Sequence, residues 1–332
     1  MLWYSNPSAQ AWRCSAAPAD ALAFHQGLAD YRPTPLTEVP ALAAELGVGR
    51  VLVKDESQRL GLPAFKALGA WWAIHRTLQD HPDVTRLVTA TDGNHGRAVA
   101  RMAAMLGLES HVFIPYVVSA PAIEAIRSEG ATVTIIEDSY DAAVVAAAEA
   151  ATGSAVLIQD SAWPGYEVVP QRIVDGYSTL FREIDLQPDL VVVPMGVGSV
   201  AQAAVTHYRS ESPAPSVLGV EPARAACITS SLLAGEPVTV ETSTTVMAGL
   251  NCGTPSSLAW PVLRAGLDAS VTVEEDEALL AVEDLGAAGI SSGASGAATL
   301  AGVRVARDKL PLTEDSTIVL ISTEAAPLNL RD

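Results

Sequence analysis

The chain has 332 residues, 49% of them hydrophobic and 17% charged, with 38 acidic side chains against 20 basic ones and a formal net charge of −18. That make-up is globular rather than disordered and has length for one large core or two smaller ones. The negative balance argues against nucleic-acid backbones and anionic membrane surfaces as partners, and no apolar stretch reaches the roughly 20 residues that span a bilayer.

The N-terminus, Met1-Leu-Trp-Tyr-Ser-Asn-Pro7, has neither the basic nor the apolar region of a secretory leader. Three cysteines, Cys14, Cys227 and Cys252, are too few for a disulfide scaffold, and none forms Cys-x-x-Cys or sits with His at a ligand spacing, so no metal site is expected. His25, His75, His81, His111 and His207 likewise show no ligand spacing. The expectation is a cytoplasmic protein with reduced thiols. Cys227 and Cys252 flank the loop-rich segment 236–253, and a reducing compartment argues against a bridge between them.

Residues 1–35 read as irregular apart from a short helix near 20–27, and Tyr31-Arg-Pro-Thr-Pro-Leu36 as extended, because each proline pushes its predecessor out of the helical region. Segment 51–55 reads as a strand, and a helix opens at Lys66. A strict alternation follows: strand 86–91, helix 94–106, strand 111–115, helix 122–129, strand 132–136, helix 140–151, strand 155–159 and helix 169–184. It continues with strand 190–194, helix 199–208, strand 216–220, helix 223–233, a polar loop 236–249, helix 256–265, strand 270–273, helices 276–288 and 294–307, and strand 317–321. Short β-branched strands alternating with helices mean βαβ units and parallel sheets. The strands are too many for one comfortable sheet, so the pattern predicts two α/β lobes.

Lys66 stands out because the chain has only three lysines, Lys54, Lys66 and Lys309. Arginine cannot lose its proton, whereas a desolvated lysine can become a nucleophile or a Schiff base. Lys66 also opens a helix, where the dipole disfavours a cation. An ordinary lysine snorkelling at a helix start fits the same position.

In open α/β sheets ligands bind beyond the carboxyl ends of the strands, and the chain is rich in polar and glycine residues at those points. Strand 86–91 runs into Thr91-Asp-Gly-Asn-His-Gly-Arg97, where Asp92, Asn94 and His95 crowd a turn that also suits an Asx turn and helix cap. Strand 155–159 runs into Asp160-Ser-Ala-Trp-Pro-Gly-Tyr166, an acid followed by two aromatic residues. Strand 190–194 runs into Met195-Gly-Val-Gly-Ser-Val200 and a helix, a cradle of N–H groups suited to a phosphate. Gly196, Gly198 and Ala201, with Glu221 at the next strand end, also fit a dinucleotide fingerprint, which makes a nicotinamide-dependent dehydrogenase a rival on that motif alone. The last strand ends in Ser322-Thr-Glu324, whose hydroxyl could meet a heterocycle nitrogen or cap the strand. A lysine, an Asn-Gly loop, a glycine phosphate loop and a strand-end serine together are what pyridoxal phosphate requires. A dinucleotide enzyme accounts for the glycine loop only.

These residues carry a family likeness. Lys54-Asp-Glu-Ser57, Ala64-Phe-Lys-Ala-Leu-Gly69, Ala90-Thr-Asp-Gly-Asn-His-Gly-Arg97, Gln159-Asp-Ser-Ala-Trp-Pro-Gly-Tyr166, Gly196-Val-Gly-Ser-Val200, Thr245-Val-Met-Ala-Gly-Leu-Asn-Cys-Gly253, Gly289-Ile-Ser-Ser-Gly293 and Ile321-Ser-Thr-Glu324 follow one another in family order. The chain resembles the fold type II pyridoxal-phosphate enzymes (tryptophan synthase β-like), and within them most of all the diaminopropionate ammonia-lyases. The Thr-Asp-Gly-Asn-His-Gly form is the sharp marker, since related dehydratases carry Ser-x-Gly-Asn there.

The resemblance implies two lobes, each a largely parallel sheet flanked by helices: a large cofactor-binding lobe of residues 1–74 and 166–332 and a small lobe of 75–165, with the cofactor between them, in a homodimer. Lys66 would hold pyridoxal 5'-phosphate through its amine, and Asn94 would meet the ring hydroxyl. Gly196, Val197, Gly198, Ser199 and Val200 would bind the phosphate, and Ser322 would face the ring nitrogen. Asp92 and Asp160 would lie near a small amino-acid substrate, bind its side-chain ammonium and move protons, with Lys66 and Asp92 serving opposite faces. The implied reaction is α,β-elimination of ammonia from 2,3-diaminopropionate. A serine/threonine dehydratase and a non-catalytic pyridoxal-phosphate binder are the alternatives. Two departures bear on the substrate: Gly293-Ala-Ser-Gly296 lacks the acid of the family's Gly-Glu-Ser-Gly, and the tail after Glu324 reads Ala-Ala-Pro-Leu-Asn in place of Gly-Asp-Thr-Asp.

Overall fold

The structure is a computed structural model that describes residues 1–91 and 93–326. In chain order its strands and helices are β1 (Trp3–Ser5), α1 (Asp20–Gln26), β2 (Leu36–Glu38), α2 (Pro40–Leu46), β3 (Arg50–Asp55), α3 (Lys66–Asp80), β4 (Arg86–Ala90), α4 (Asn94–Leu106), β5 (Glu109–Pro115), α5 (Ala120–Arg127), β6 (Thr132–Ile136) and α6 (Tyr140–Ala150). There follow β7 (Ala155–Leu157), α7 (Val168–Arg182), β8 (Leu190–Pro194), α8 (Ser199–Arg209), β9 (Ser216–Pro222), α9 (Cys227–Ala234), α10 (Ala259–Gly266), β10 (Ala269–Val273), α11 (Glu275–Ala287), α12 (Ala294–Ala306) and β11 (Thr317–Ser322).

Two compact units result. One takes Met1–Phe65 and the chain from Ser178 onward; the other is Lys66–Tyr177. The cut expected at 74/75 falls inside the continuous helix α3, and that at 165/166 falls in the turn before α7.

The larger unit holds a seven-stranded sheet in the order β1-β10-β9-β8-β11-β3-β2. Its five inner strands are parallel, and β1 and β2 close the edges in antiparallel register. A parallel sheet is covered on both faces, so its strands read as apolar runs. Strand β8, Leu-Val-Val-Val-Pro, is buried at every position, and each such aliphatic side chain contributes about 1.5–3 kcal/mol. Helix α12 is buried nearly all round. It lies so close to the sheet that a Cβ on Gly302 would come within 2.4 Å of Val220 Cγ2.

The same unit contains a buried ion cluster. Lys54 Nζ donates to Thr34 O at 2.8 Å and to Glu183 Oε2 at 2.6 Å. Arg59 bridges Glu183 and Glu56, and both Arg59 and Glu56 are wholly buried. The Lys-Asp-Glu-Ser motif therefore serves the fold: its lysine and glutamate neutralise partners brought from Arg59 and Glu183.

The smaller unit holds a four-stranded parallel sheet, β6-β5-β4-β7. Val88, Ala90, Phe113 and Leu157 pack with Ala143 and Ala147 of α6 on one face, and Val112 and Ile114 pack with Ile126 of α5 on the other, as the period of two in a strand requires. Trp71 of α3, 1% exposed, donates its indole N–H to Ala98 O of α4 at 2.9 Å.

Three elements were not foreseen. Strands β1 and β2 are three residues long, too short to show a period. Helix α2 starts on Pro40, a favoured first helical residue, in the stretch 37–50 to which no element was assigned. Helix α9 begins at Cys227, four residues later than expected, because Ala223 N still donates to Val273 O at 2.8 Å.

Candidate active site

In the smaller unit three expected loops supply one cluster. Lys66, the first residue of α3, donates from Nζ to Asp160 Oδ2 at 2.6 Å; the lysine side chain is 24% exposed and the aspartate 10%. His95, in the first turn of α4, places Nδ1 3.8 Å from the same Oδ2. Its Nε2 stands 2.7 Å from Ile158 O, so Nε2 is assigned the proton and Nδ1 carries the lone pair.

The electrostatics follow from burial and neighbours. Burial pushes the Asp160 carboxyl upward, but the Lys66 charge, His95 and the hydrogen bond from Lys66 outweigh it and hold the pKa at about 2. Burial pushes the His95 imidazole down, aided by Lys66 and opposed by Asp160 and the Ile158 carbonyl. At neutral pH Asp160 is thus a carboxylate and His95 a neutral imidazole.

Each member is braced by its own loop. Tyr166 OH accepts from Gln159 N at 2.9 Å and donates to Leu157 O at 2.8 Å, while its ring stacks on Trp163 at 4.5 Å. Gln159, fully buried, accepts from Ala90 N at 2.9 Å and donates to Tyr140 OH at 2.9 Å. Asp160 is therefore fixed from both sides, and the Trp163–Tyr166 pair acts as brace. At the start of α4, Thr91 Oγ1 accepts from Gly93 N at 3.0 Å and Gly96 N at 3.1 Å. A Cβ on Gly96 would sit 2.3 Å from Thr91 Cγ2, so this turn requires glycine. Asn94 is the first residue of α4. Asp92 lies outside the described residues.

Tyr177 of α7 also belongs to the cluster. Its ring packs against α3 at Gly69, and its buried hydroxyl is within electrostatic reach of both Lys66 and Asp160. No motif announced it. The available signal was a glycine inside each of two helices, Gly69 in α3 and Gly176 in α7, since an interior helical glycine usually has a packing reason. His95 was legible as part of its motif but had no partner assigned.

In the larger unit the expected cofactor-binding residues fall at the ends of β8 and β11. Gly196 to Gly198 turn the chain from β8 into α8, and Gly198, at φ +99°, caps α8 with no side chain. A Cβ on Gly196 would meet Cys252 Sγ at 3.0 Å and Gly249 O at 3.2 Å; one on Gly198 would meet Leu263 Cδ1 at 2.9 Å. Val197 O is tied to Ser256 N at 3.0 Å. A glycine turn that opens a helix with no side-chain cap of its own suits a phosphate. Ser322, the last residue of β11, donates to Ser292 Oγ at 2.8 Å, and both are buried. That hydroxyl pair is neutral, as a partner for an uncharged ring nitrogen should be. At 294 stands alanine, and the Glu324 side chain lies against Gly293, where a Cβ would be 2.9 Å from its Oε1. The three cysteines are free thiols, and burial pushes the Cys227 thiol well above its ordinary range.

Glu221 decides against the dinucleotide reading. It is wholly buried and accepts from Ile228 N at 2.8 Å and Thr229 N at 2.6 Å, capping α9. No oxygen is left to face a ribose.

The smaller unit thus offers an amine, and the larger unit, taken by itself, a glycine turn suited to a phosphate and a buried hydroxyl suited to a ring nitrogen. Comparison with known proteins agrees. Residues 28–324 match the family described as pyridoxal-phosphate dependent enzyme. Diaminopropionate ammonia-lyase of Escherichia coli K12 is 36% identical over 345 aligned positions, covering 91% of this chain and 86% of that one. The crystal structure of the E. coli enzyme in complex with an aminoacrylate-PLP azomethine reaction intermediate superposes with a TM-score of 0.91 at 31% identity, covering 97% of this chain and 93% of that one. A biosynthetic L-threonine dehydratase of Mycobacterium leprae is more distant, 30% identical over 283 positions that take in 82% of this chain and 64% of that one. The chain belongs to the pyridoxal-phosphate-dependent enzymes of fold type II and, within them, to the diaminopropionate ammonia-lyase family.

Proposed function

We propose that the protein eliminates ammonia from 2,3-diaminopropionate with pyridoxal 5'-phosphate held on Lys66. The elimination removes the Cα proton and the β-ammonium to leave aminoacrylate, and water then converts aminoacrylate into pyruvate and a second ammonia. The cofactor supplies an electron sink that stabilises negative charge at Cα. Lys66, once its amine is free, takes the Cα proton of the L isomer, and Asp92 takes that of the D isomer from the other face. Asp160 accepts the β-ammonium as it departs. Asn94 meets the ring hydroxyl, Gly196 to Val200 bind the phosphate through N–H groups, and Ser322 faces the ring nitrogen.

The observation that carries this reading is the state of Asp160. Asp160 is buried 2.6 Å from the Lys66 amine, whose charge holds the carboxyl below the ordinary carboxylate range. It is a good partner for a leaving ammonium and a poor proton donor to a leaving hydroxyl, which is what a dehydratase needs. We propose further that the enzyme is a cytoplasmic homodimer, on family likeness and on the free state of its three thiols. The larger unit would then be the main cofactor-binding part.

Two measurements test the reading. Lys66→Ala should abolish the visible absorption of the lysine-bound cofactor and its reduction by borohydride; a surviving reducible adduct excludes Lys66. Pyruvate and ammonia read together across a panel of amino acids should give two ammonia per pyruvate, fastest from diaminopropionate. Faster release of 2-oxo acid from serine or threonine would make the protein a dehydratase.

A further inference from the structure

Lys66 and Gly69 stand three residues apart on α3 and so share a face. The missing side chain of Gly69 is the opening through which Tyr177 reaches that face: a Cβ there would lie 2.4 Å from Tyr177 Cε1 and 2.8 Å from Ile173 O. From the opposite side, a Cβ on Gly176 would lie 2.5 Å from Leu68 O and 2.8 Å from Gly69 Cα. Two glycines thus bring α3 and α7 into backbone contact one turn from Lys66. The Tyr177 ring is 0% exposed. An interior glycine disfavours a helix by roughly 1 kcal/mol relative to alanine, and here both helices carry one at the same contact.

We propose that Tyr177 is a positioning residue whose hydroxyl holds the Lys66 amine beside Asp160 in both of the amine's protonation states. This rests on the reading of Lys66 as the cofactor lysine. The chemistry is that of donors and acceptors. Ionised Asp160 only accepts, so it takes an N–H of the amine at 2.6 Å but has no proton to offer the lone pair that appears when the amine is neutral. His95 spends its one N–H on Ile158 O. A tyrosine hydroxyl accepts from the ammonium and donates to the free amine. Burial, the largest influence, pushes the phenol well above its ordinary range, so it stays a neutral hydroxyl while Lys66 changes charge. Asp160 from the loop after β7 pairs with the amine, His95 from α4 stands on the far side of that carboxylate, and Tyr177 packs in from α7.

Tyr177→Phe keeps the ring in the Gly69 opening and deletes only the oxygen. The test uses the full-length chain with lysine labelled at Cε with carbon-13, freed of cofactor and titrated by NMR. Three lysines give three signals, with Lys54 and Lys309 as internal controls. Hydrogen bonds to charged groups are stronger than those to neutral ones, so the variant should lower the Lys66 midpoint by on the order of one pH unit and leave the controls unmoved. In the loaded enzyme kcat should fall by on the order of tenfold with KM for substrate nearly unchanged. An unshifted Lys66 midpoint overturns the proposal. If Tyr177→Phe does not fold, the assigned Tyr177 signal in wild type labelled at tyrosine Cζ replaces it. That signal should move with the Lys66 titration and stop moving in Lys66→Ala; a signal blind to the amine overturns the proposal. The titration needs no cofactor, so it stands apart from the absorbance test of Lys66: a shifted midpoint with the visible band intact in Lys66→Ala would sink the cofactor assignment and leave the contact.

Discussion

Lys54 and Glu183 form an ion pair of 2.6 Å in which the lysine is wholly buried and the glutamate 3% exposed. With Arg59 and Glu56 the cluster balances two positive against two negative charges. Lys54→Ala would leave one carboxylate buried without its counter-ion, a change that destabilises by about 3–5 kcal/mol. Thermal melting should show a large loss, while the protein that remains folded keeps the visible band of the cofactor on Lys66. Loss of the band with full stability would mean that Lys54, not Lys66, carries the cofactor.

Glu221 makes stability depend on pH in a defined direction. Burial raises its carboxyl to about 7, against hydrogen bonds from Thr229 and Ile228 that work to lower it. A raised pKa means the folded state holds a proton that the unfolded state releases. The stabilising contribution is full below about 4.5 and is lost as pH rises to about 7, a change of roughly 3 kcal/mol. Buried His95 and His207, whose pKa values are lowered, act in the opposite sense over the same window. The comparison is therefore between Glu221→Gln and wild type: the variant should gain relative stability from pH 5 to pH 8. Parallel melting curves across that range would refute the assignment.

Most of the fold was legible because strands and helices alternate with clear periods, and β8 or α4 could be bounded nearly to the residue. Strands β1 and β2 were not, since three-residue edge strands are fixed by pairing with β10 and β3 rather than by their own pattern. Lys66 stood out through the count of three lysines and the helix it opens, and Asp160 and the Gly196–Gly198 turn through residue type at strand ends. Tyr177 did not, because its role depends on two helices touching at Gly69 and Gly176, a contact with no local signature. Glu221 shows the converse failure. Its spacing suited a ribose, but spacing carries no information on where a carboxylate points.

Gly198 should be the least replaceable residue of the glycine turn. At φ +99° a side chain is strained, and its Cβ would also meet Leu263 and Ala259 within 3.0 Å. Backbone strain of this kind amounts to about 1–3 kcal/mol. Gly198→Ala should weaken cofactor binding by on the order of tenfold or more, read by equilibrium titration of the visible band. Cofactor affinity equal to wild type would place the phosphate elsewhere.

Asp160→Asn should change which substrate is preferred, not only how fast the enzyme runs. The wild-type carboxyl lies 2.6 Å from the Lys66 amine, whose charge lowers its pKa against burial. An anion stabilises the β-ammonium of diaminopropionate as it leaves and gives no proton to the β-hydroxyl of serine. Asparagine keeps the shape and removes the charge. Turnover of diaminopropionate should fall by on the order of 10²–10⁴, the range for loss of a group that acts on the reacting proton or leaving group, and KM should rise with it. Elimination from serine, which draws no help from the charge, should fall much less. The decisive quantity is the ratio of kcat/KM for the two substrates, measured at one pH. A ratio that drops by a hundredfold or more assigns Asp160 to the leaving group. Equal losses on both substrates would show that Asp160 acts through Lys66, by holding the amine that takes the Cα proton, and the ammonium-accepting role would be withdrawn.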